Sequence, residues 1–326
     1  MNRDVDNTKE NVLLDIIRVI MACMIPFLHI PNDDSGIIIR LIEVYVSRLG
    51  VPFFFAVSGY FLYISAEKMG NKEAFIKFAK RAGTLLVIWS IAYLPFTIRS
   101  FSFREYLFKT PYFLWYLTAA LVGGFLVFLT KKFGWMKQLI IASAVYLVGT
   151  LFGESYDWLF QSPIRNIYRM HFLTTRNGVF FAFPLMVMGG GLHEYNLKGK
   201  RLLLFSIVVS AVYIGEMWFV NIMNADPTLD YSMVITLPLV VISIIMTCVG
   251  YGNIFNQNEA IGIKLRTISS AVYLMQFGVI YVLERIMSVT EIGVGTTLYF
   301  MVILVTVIAL PSFFVIVFRR LSKIIF

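Results

Sequence analysis

The chain has 326 residues, of which 59% are hydrophobic and 14% charged, and its mean hydropathy is +0.78. Water-soluble chains carry roughly 45–50% apolar and about 25% charged residues. This composition therefore excludes a soluble multidomain protein, a disordered chain and a disulfide scaffold. The net charge of +9, from 28 Lys and Arg against 19 Asp and Glu, is that of a membrane protein with basic cytoplasmic loops and not of a nucleic-acid binder.

A helix that crosses the bilayer needs about 20 mostly apolar residues. Such segments are predicted at 12–31, 47–65, 83–98, 112–130, 136–153, 177–193, 202–222, 231–251, 267–288 and 296–318. The fold class expected is all-α: a polytopic integral membrane protein of about ten transmembrane helices, with 1–326 as a single transmembrane domain. The first apolar segment holds Asp15 and Arg18 and lacks a small-residue cleavage site, so it reads as a retained helix and not a signal peptide. With the N-terminus inside, 18 Lys and Arg fall on cytoplasmic segments, 9 fall outside, and Arg18 is left within the first helix. That bias predicts that both termini are cytoplasmic.

In the first helix, NVLLDIIRVIMACMIPFLHI, Asp15 and Arg18 are three apart and can pair on one face. His29 follows Arg18 by eleven residues, almost three whole turns, which puts it on the same stripe about 16 Å further along. Pro26 cannot donate to the Ala22 carbonyl, so a kink is expected one turn below His29. Ionisable groups at membrane depth are costly and point to function.

The second segment begins at Arg48 and carries Pro52, Ser58 and Gly59. Small residues there invite close helix packing, and Ser58 adds a hydroxyl inside the bilayer. The Lys68–Arg81 stretch, with Lys80 and Arg81 at its end, is a basic cytoplasmic loop. Residues 154–176, with Trp158, Tyr168 and His171, could hold an interfacial helix. Gly189-Gly190-Gly191 reads as a helix stop with left-handed backbone. Glu216 lies in the middle of the seventh span as a structural hydrogen bond, a proton relay or a substrate contact. Gln276 is a polar group in the ninth. Cys23 and Cys248 read as small buried hydrophobes, with no metal cluster implied.

Together these residues resemble the integral-membrane acyltransferase family 3, bacterial O-acyltransferases of cell-surface sugars. The resemblance is carried by DIIRVIMACMIPFLHI, by VSRLGVPFFFAVSGYFL at 46–62, by LWYLTAALVG at 114–123, and by TRNGVFFAFPLMVMGGGL at 175–192 with SAVYLMQFGVIYV at 270–282. It implies transfer of an acyl group, commonly acetyl, from cytoplasmic acetyl-CoA to a hydroxyl of an envelope glycan or its lipid-linked precursor. It also implies a multi-pass protein of the bacterial plasma membrane, with membrane lipid, acyl-CoA and an envelope glycan acceptor as partners, and no permanently bound cofactor, metal or nucleic acid.

On this resemblance His29 and Arg18 are the catalytic pair, His29 as general base or transient acyl carrier and Arg18 as a donor-binding cation. Asp15, Arg48, Ser58, Lys80, Arg81, Trp115, Glu216 and Gln276 are the candidate donor- and substrate-binding residues. Thr84, Phe113 and Gln276 depart from the family pattern, which more often has an arginine and two histidines there. Membrane domains of vancomycin-resistance serine racemases and proteins proposed to export poly-N-acetylglucosamine resemble the same family. A transporter-like member that moves serine or a glycan therefore stays open beside the enzyme, as does a structural subunit of an envelope assembly.

Overall fold

A computed structural model describes residues 11–31, 36–97, 114–159, 174–194, 199–224, 231–254, 258–288 and 296–326. The described residues are helical. The long elements are α1 (Val12–Met24), α2 (Gly50–Met69), α3 (Asn71–Thr97), α4 (Trp115–Thr130), α5 (Trp135–Leu151), α6 (Phe183–Gly190), α7 (Lys200–Met223), α8 (Leu237–Tyr251), α9 (Glu259–Met287) and α10 (Thr297–Val317), followed by a short α11 (Arg319–Ile325). One of these helices stands at each of the ten predicted segments. Among the described residues, five helical runs are long and apolar enough to cross a membrane: Ile37–Met69, Trp115–Phe133, Lys200–Met223, Glu259–Met287 and Thr297–Val317. Many of their outward side chains are apolar. Leu204, Ile207, Trp218, Leu298 and Phe313 are each 59–65% exposed, which suits lipid as the surrounding solvent. Much of the predicted interfacial stretch, with Tyr168 and His171, lies outside the described residues, as does Phe113.

Local chemistry sets the helix ends. The Asn11 side chain accepts the Leu14 amide at 3.0 Å and caps α1, while its own amide reaches the Cys248 carbonyl at 2.8 Å. Asn258 caps α9 and Thr296 caps α10 in the same way. Gly70, at φ 93°, makes the tight turn from α2 to α3, a backbone angle that glycine adopts without strain. The predicted basic loop Lys68–Arg81 is therefore mostly helix: α3 starts at Asn71 and runs 27 residues, well before the predicted start of the third span at 83.

α2 and α6 form the centre of the bundle. They touch backbone to backbone: a β-carbon on Gly59 would overlap the Met186 carbonyl, and one on Gly189 would overlap the Ala56 carbonyl. The Gly189-Gly190-Gly191 run is thus not a left-handed stop. Gly191 has φ −67°, and all three glycines make room for Ala56, Tyr63 and Trp135. Gly59→Leu should destabilise the purified protein by at least about 3 kcal/mol, the upper range of overpacking. Thermal unfolding in detergent would read this, and an unchanged midpoint would contradict the close approach.

α1 packs against α9, α8 and α2, and α9 packs against α10. Cys248 is buried, and Cys23 is only partly so.

Candidate functional site

The helical register of α1 ends at Met24. Pro26 then sits in the first positions of a 3-10 turn, Ile25–Leu28, where its missing N–H costs nothing. Pro26 therefore ends the α-helix and does not kink it. Four residues at about 120° each, against about 100° in an α-helix, turn His29 about 100° off the Arg18 stripe. The His29 amide bonds the Pro26 carbonyl at 2.9 Å. Its neighbours Phe27 and Ile30 join a cluster with Val279, Ile280 and Phe300. The predicted single stripe is therefore corrected: the 3-10 turn takes His29 off the face of α1 that carries Arg18.

Arg18 lines a cavity of about 520 Å³ enclosed by α1, α2, α3, α4 and α9. Four cations line it: Arg18, Lys77, Arg81 and Arg266. Lys77 and Arg81 are exposed, four apart on one face of α3, so this wall reaches the surface. Among the described residues no carboxylate lines the space. Deeper in, the wall carries the hydroxyls of Ser58, Tyr116, Ser269, Ser270 and Tyr273 with Phe54, Val57, Leu117 and Leu274. Ser58 Oγ and Tyr116 Oη are 3.0 Å apart and share a hydrogen bond.

Asp15 stands behind the cavity wall and is 1% exposed. Its carboxylate accepts from Arg18 Nη1 and Arg266 Nη1, each at 2.9 Å. The Arg18 guanidinium also lies 4.7 Å from the centre of the Phe61 ring. Asp15 therefore positions two arginines from different helices and does not itself meet a ligand in the cavity.

Three rings close the inner end. Phe54, Tyr116 and Tyr273 contact one another with centroids 5.4–6.5 Å apart. Beyond them lies a second polar cluster. Arg48 Nη1 and Arg176 Nη1 both donate to Ser232 Oγ, at 3.0 and 3.1 Å. The Arg176 guanidinium lies 4.8 Å over the Trp115 ring.

The sequence-predicted residues thus divide. Asp15, Arg18, Ser58 and Arg81 gather at the cavity. Arg48 and Trp115 belong to the far cluster. Lys80 is exposed on α3 outside the cavity lining. Glu216 accepts from the Ile235 and Thr236 amides, each at 2.9 Å, and from the Tyr156 and Thr236 hydroxyls. It satisfies the orphan donors at the start of α8 and lies away from the cavity. Gln276 is fully buried one turn beyond Tyr273 and donates to the Tyr273 carbonyl at 3.0 Å.

Sequence reasoning missed Arg266, Tyr116, Arg176 and Ser232, and reached Lys77 only as part of the basic Lys68–Arg81 stretch. Arg266 was legible: Arg266, Ser269, Ser270 and Tyr273 follow i, i+3, i+4, i+7 spacing, one helical stripe of polar groups. Arg176 and Ser232 carry no local signal, since their meeting depends on two separate connections.

No solved structure matches the chain. An "Amino-acid racemase" of Enterococcus faecalis is 32% identical over 203 residues, covering 54% of this chain and 27% of that protein. A "Serine/alanine racemase" of Enterococcus gallinarum is 28% identical over 209 residues, covering 55% of this chain and 29% of that protein. The chain therefore spans less than a third of the length of these curated relatives. Residues 11–316 match the acyltransferase domain, which takes in α1 to α10 and every residue of both polar clusters, and on that match the chain belongs to the acyltransferase 3 family of membrane proteins.

Proposed function

We propose that this protein is a membrane O-acyltransferase that takes an acyl group, commonly acetyl, from cytoplasmic acyl-CoA and passes it to a hydroxyl of a cell-envelope polysaccharide or its lipid-linked precursor. The observation that supports this reading best is the graded cavity: cations at the surface, hydroxyls and apolar side chains within. Phosphates of the donor suit Lys77, Arg81, Arg18 and Arg266, because guanidinium and ammonium groups donate strong charge-assisted hydrogen bonds to them. The acyl end suits the hydroxyl-bearing, apolar interior. His29 acts as general base on the acceptor hydroxyl or as a transient acyl carrier, and Arg18 binds the donor. The protein lies in the bacterial plasma membrane as a ten-helix bundle with both termini and the Lys68–Arg81 segment cytoplasmic, which opens the cavity to the cytoplasmic donor.

The test is titration of purified protein with acetyl-CoA, joined to mass spectrometry of envelope glycans. Saturable binding below millimolar donor is expected. His29→Ala should keep that binding while abolishing glycan acylation. Unchanged acyl-ester content in this variant would remove His29 from the reaction.

A second reading is a transporter-like member that moves a small solute such as serine. It is favoured by the relatives named for serine, alanine and amino-acid racemisation, which share about half of this chain. Absence of saturable acetyl-CoA binding by the wild type would select it.

A further inference from the structure

The three rings at the inner end of the donor cavity are braced from behind. Phe54 meets Tyr116 at 6.3 Å and Tyr273 at 6.5 Å, and the two tyrosine rings meet at 5.4 Å. Phe53 and Phe55 are fully buried and do not line the cavity. Phe53 packs on Phe54 at 5.8 Å, and Phe55 packs on Tyr116 at 4.7 Å. The Tyr116 hydroxyl is held as well, 3.0 Å from Ser58 Oγ and 3.4 Å from the Phe54 carbonyl. Close-packed rings held in this way cannot turn aside for a methylene chain without losing those contacts.

Two walls give the depth of the space above the rings. On α2 the Phe61 ring, which lies 4.7 Å from the Arg18 guanidinium, is seven residues from Phe54. On α9 Arg266 is seven residues from Tyr273. Seven residues of helix rise about 10 Å, so both walls set their cations at a similar distance from the rings. The pantetheine arm between the phosphates and the thioester of an acyl-CoA is at least that long. A donor with its phosphates at the cations therefore brings its acyl group up against the rings. Leu117 and Leu274, each next in sequence to one of the tyrosines, line the cavity there.

Resting on the acyl-CoA reading above, we propose that Phe54, Tyr116 and Tyr273 set the length of the acyl group. They form a floor that accepts a two-carbon acyl group and turns away chains of six carbons or more, so the donor is acetyl-CoA and not a fatty acyl-CoA. Phe54 is the ring on which the selection turns. It is half-buried and contacts both tyrosines, so its truncation opens the layer.

The test uses purified full-length protein in neutral detergent, titrated calorimetrically with coenzyme A, acetyl-CoA and hexanoyl-CoA. Without a floor the four extra methylenes would strengthen binding, because each adds apolar surface to be buried. The expected result is the reverse: hexanoyl-CoA binds at least tenfold more weakly than acetyl-CoA. Phe54→Ala should strengthen hexanoyl-CoA binding at least tenfold and bring the two thioesters within threefold of each other. Phe54→Leu should act in the same direction by a smaller factor. Its smaller change in volume keeps the result readable if Phe54→Ala fails to fold. Hexanoyl-CoA bound as tightly as acetyl-CoA by the wild type, with coenzyme A still bound, would overturn the floor and leave the donor reading standing. So would a preference that the folded Phe54 variants leave unchanged. No saturable binding of coenzyme A or of either thioester would overturn both.

Discussion

Asp15→Asn should lower the stability of the purified protein by about 3–5 kcal/mol, the range for breaking a buried charge pair. Asp15 is almost fully buried and accepts from two guanidiniums, Arg18 on its own helix and Arg266 on α9. Its neutral amide is a weaker acceptor for both cations. In the bundle interior a stranded charge costs more than the attraction it has lost. The loss also weakens the coupling of α1 to α9, because the carboxylate is a polar link between them. Asp15→Glu keeps the charge and should recover much of the stability. Unfolding in detergent, followed by tryptophan fluorescence, would read both variants. A loss below about 1 kcal/mol for Asp15→Asn would show that Arg18 and Arg266 are held by other groups.

Lys77→Ala with Arg81→Ala should weaken acetyl-CoA binding about a hundredfold. Each removed cation is expected to cost about 1.5 kcal/mol, the lower end for a charged hydrogen bond, because both side chains are exposed before the donor arrives. Two such losses make about 3 kcal/mol if they add. The pair sits at the outer wall of the cavity and is not part of the Asp15 network, so stability should stay near wild type. That separates binding from folding, which Arg18→Ala cannot do. Affinity should also fall more steeply with salt in the wild type than in the double variant, because exposed charges are screened. Affinity within threefold of the wild type would place the donor phosphates elsewhere.

The fold and the site were unequally legible in the sequence. The positions of the helices followed from hydropathy, since lipid demands apolar helices whatever the tertiary contacts, and five of the helical runs among the described residues are long and apolar enough to cross a membrane. The Arg18–Asp15 pair was legible for the same local reason: residues three apart on a helix share a face whether or not the helix packs. The Arg18–His29 relation was not, because a short 3-10 turn after Met24 breaks the register that the spacing assumed. Glu216 looked like a functional carboxylate by depth. Its role as the partner of the α8 start depended on where residues 235 and 236 return to the bundle.

What the sequence by itself determined was the solvent and the class of the protein: an apolar composition that requires lipid, an all-helical chain, and a basic first half of α3 next to a charged first helix. Only the tertiary structure decided which cations share a space. Arg266 meets Arg18 across 248 residues because one buried carboxylate must satisfy both. Arg48 leaves the donor group and joins Arg176 because Ser232 stands between them. Helical periodicity fixes neighbours three and four residues apart. It cannot choose which helix faces which, and that choice is made by close approach at small residues such as Gly59 and by the cost of leaving a buried charge alone.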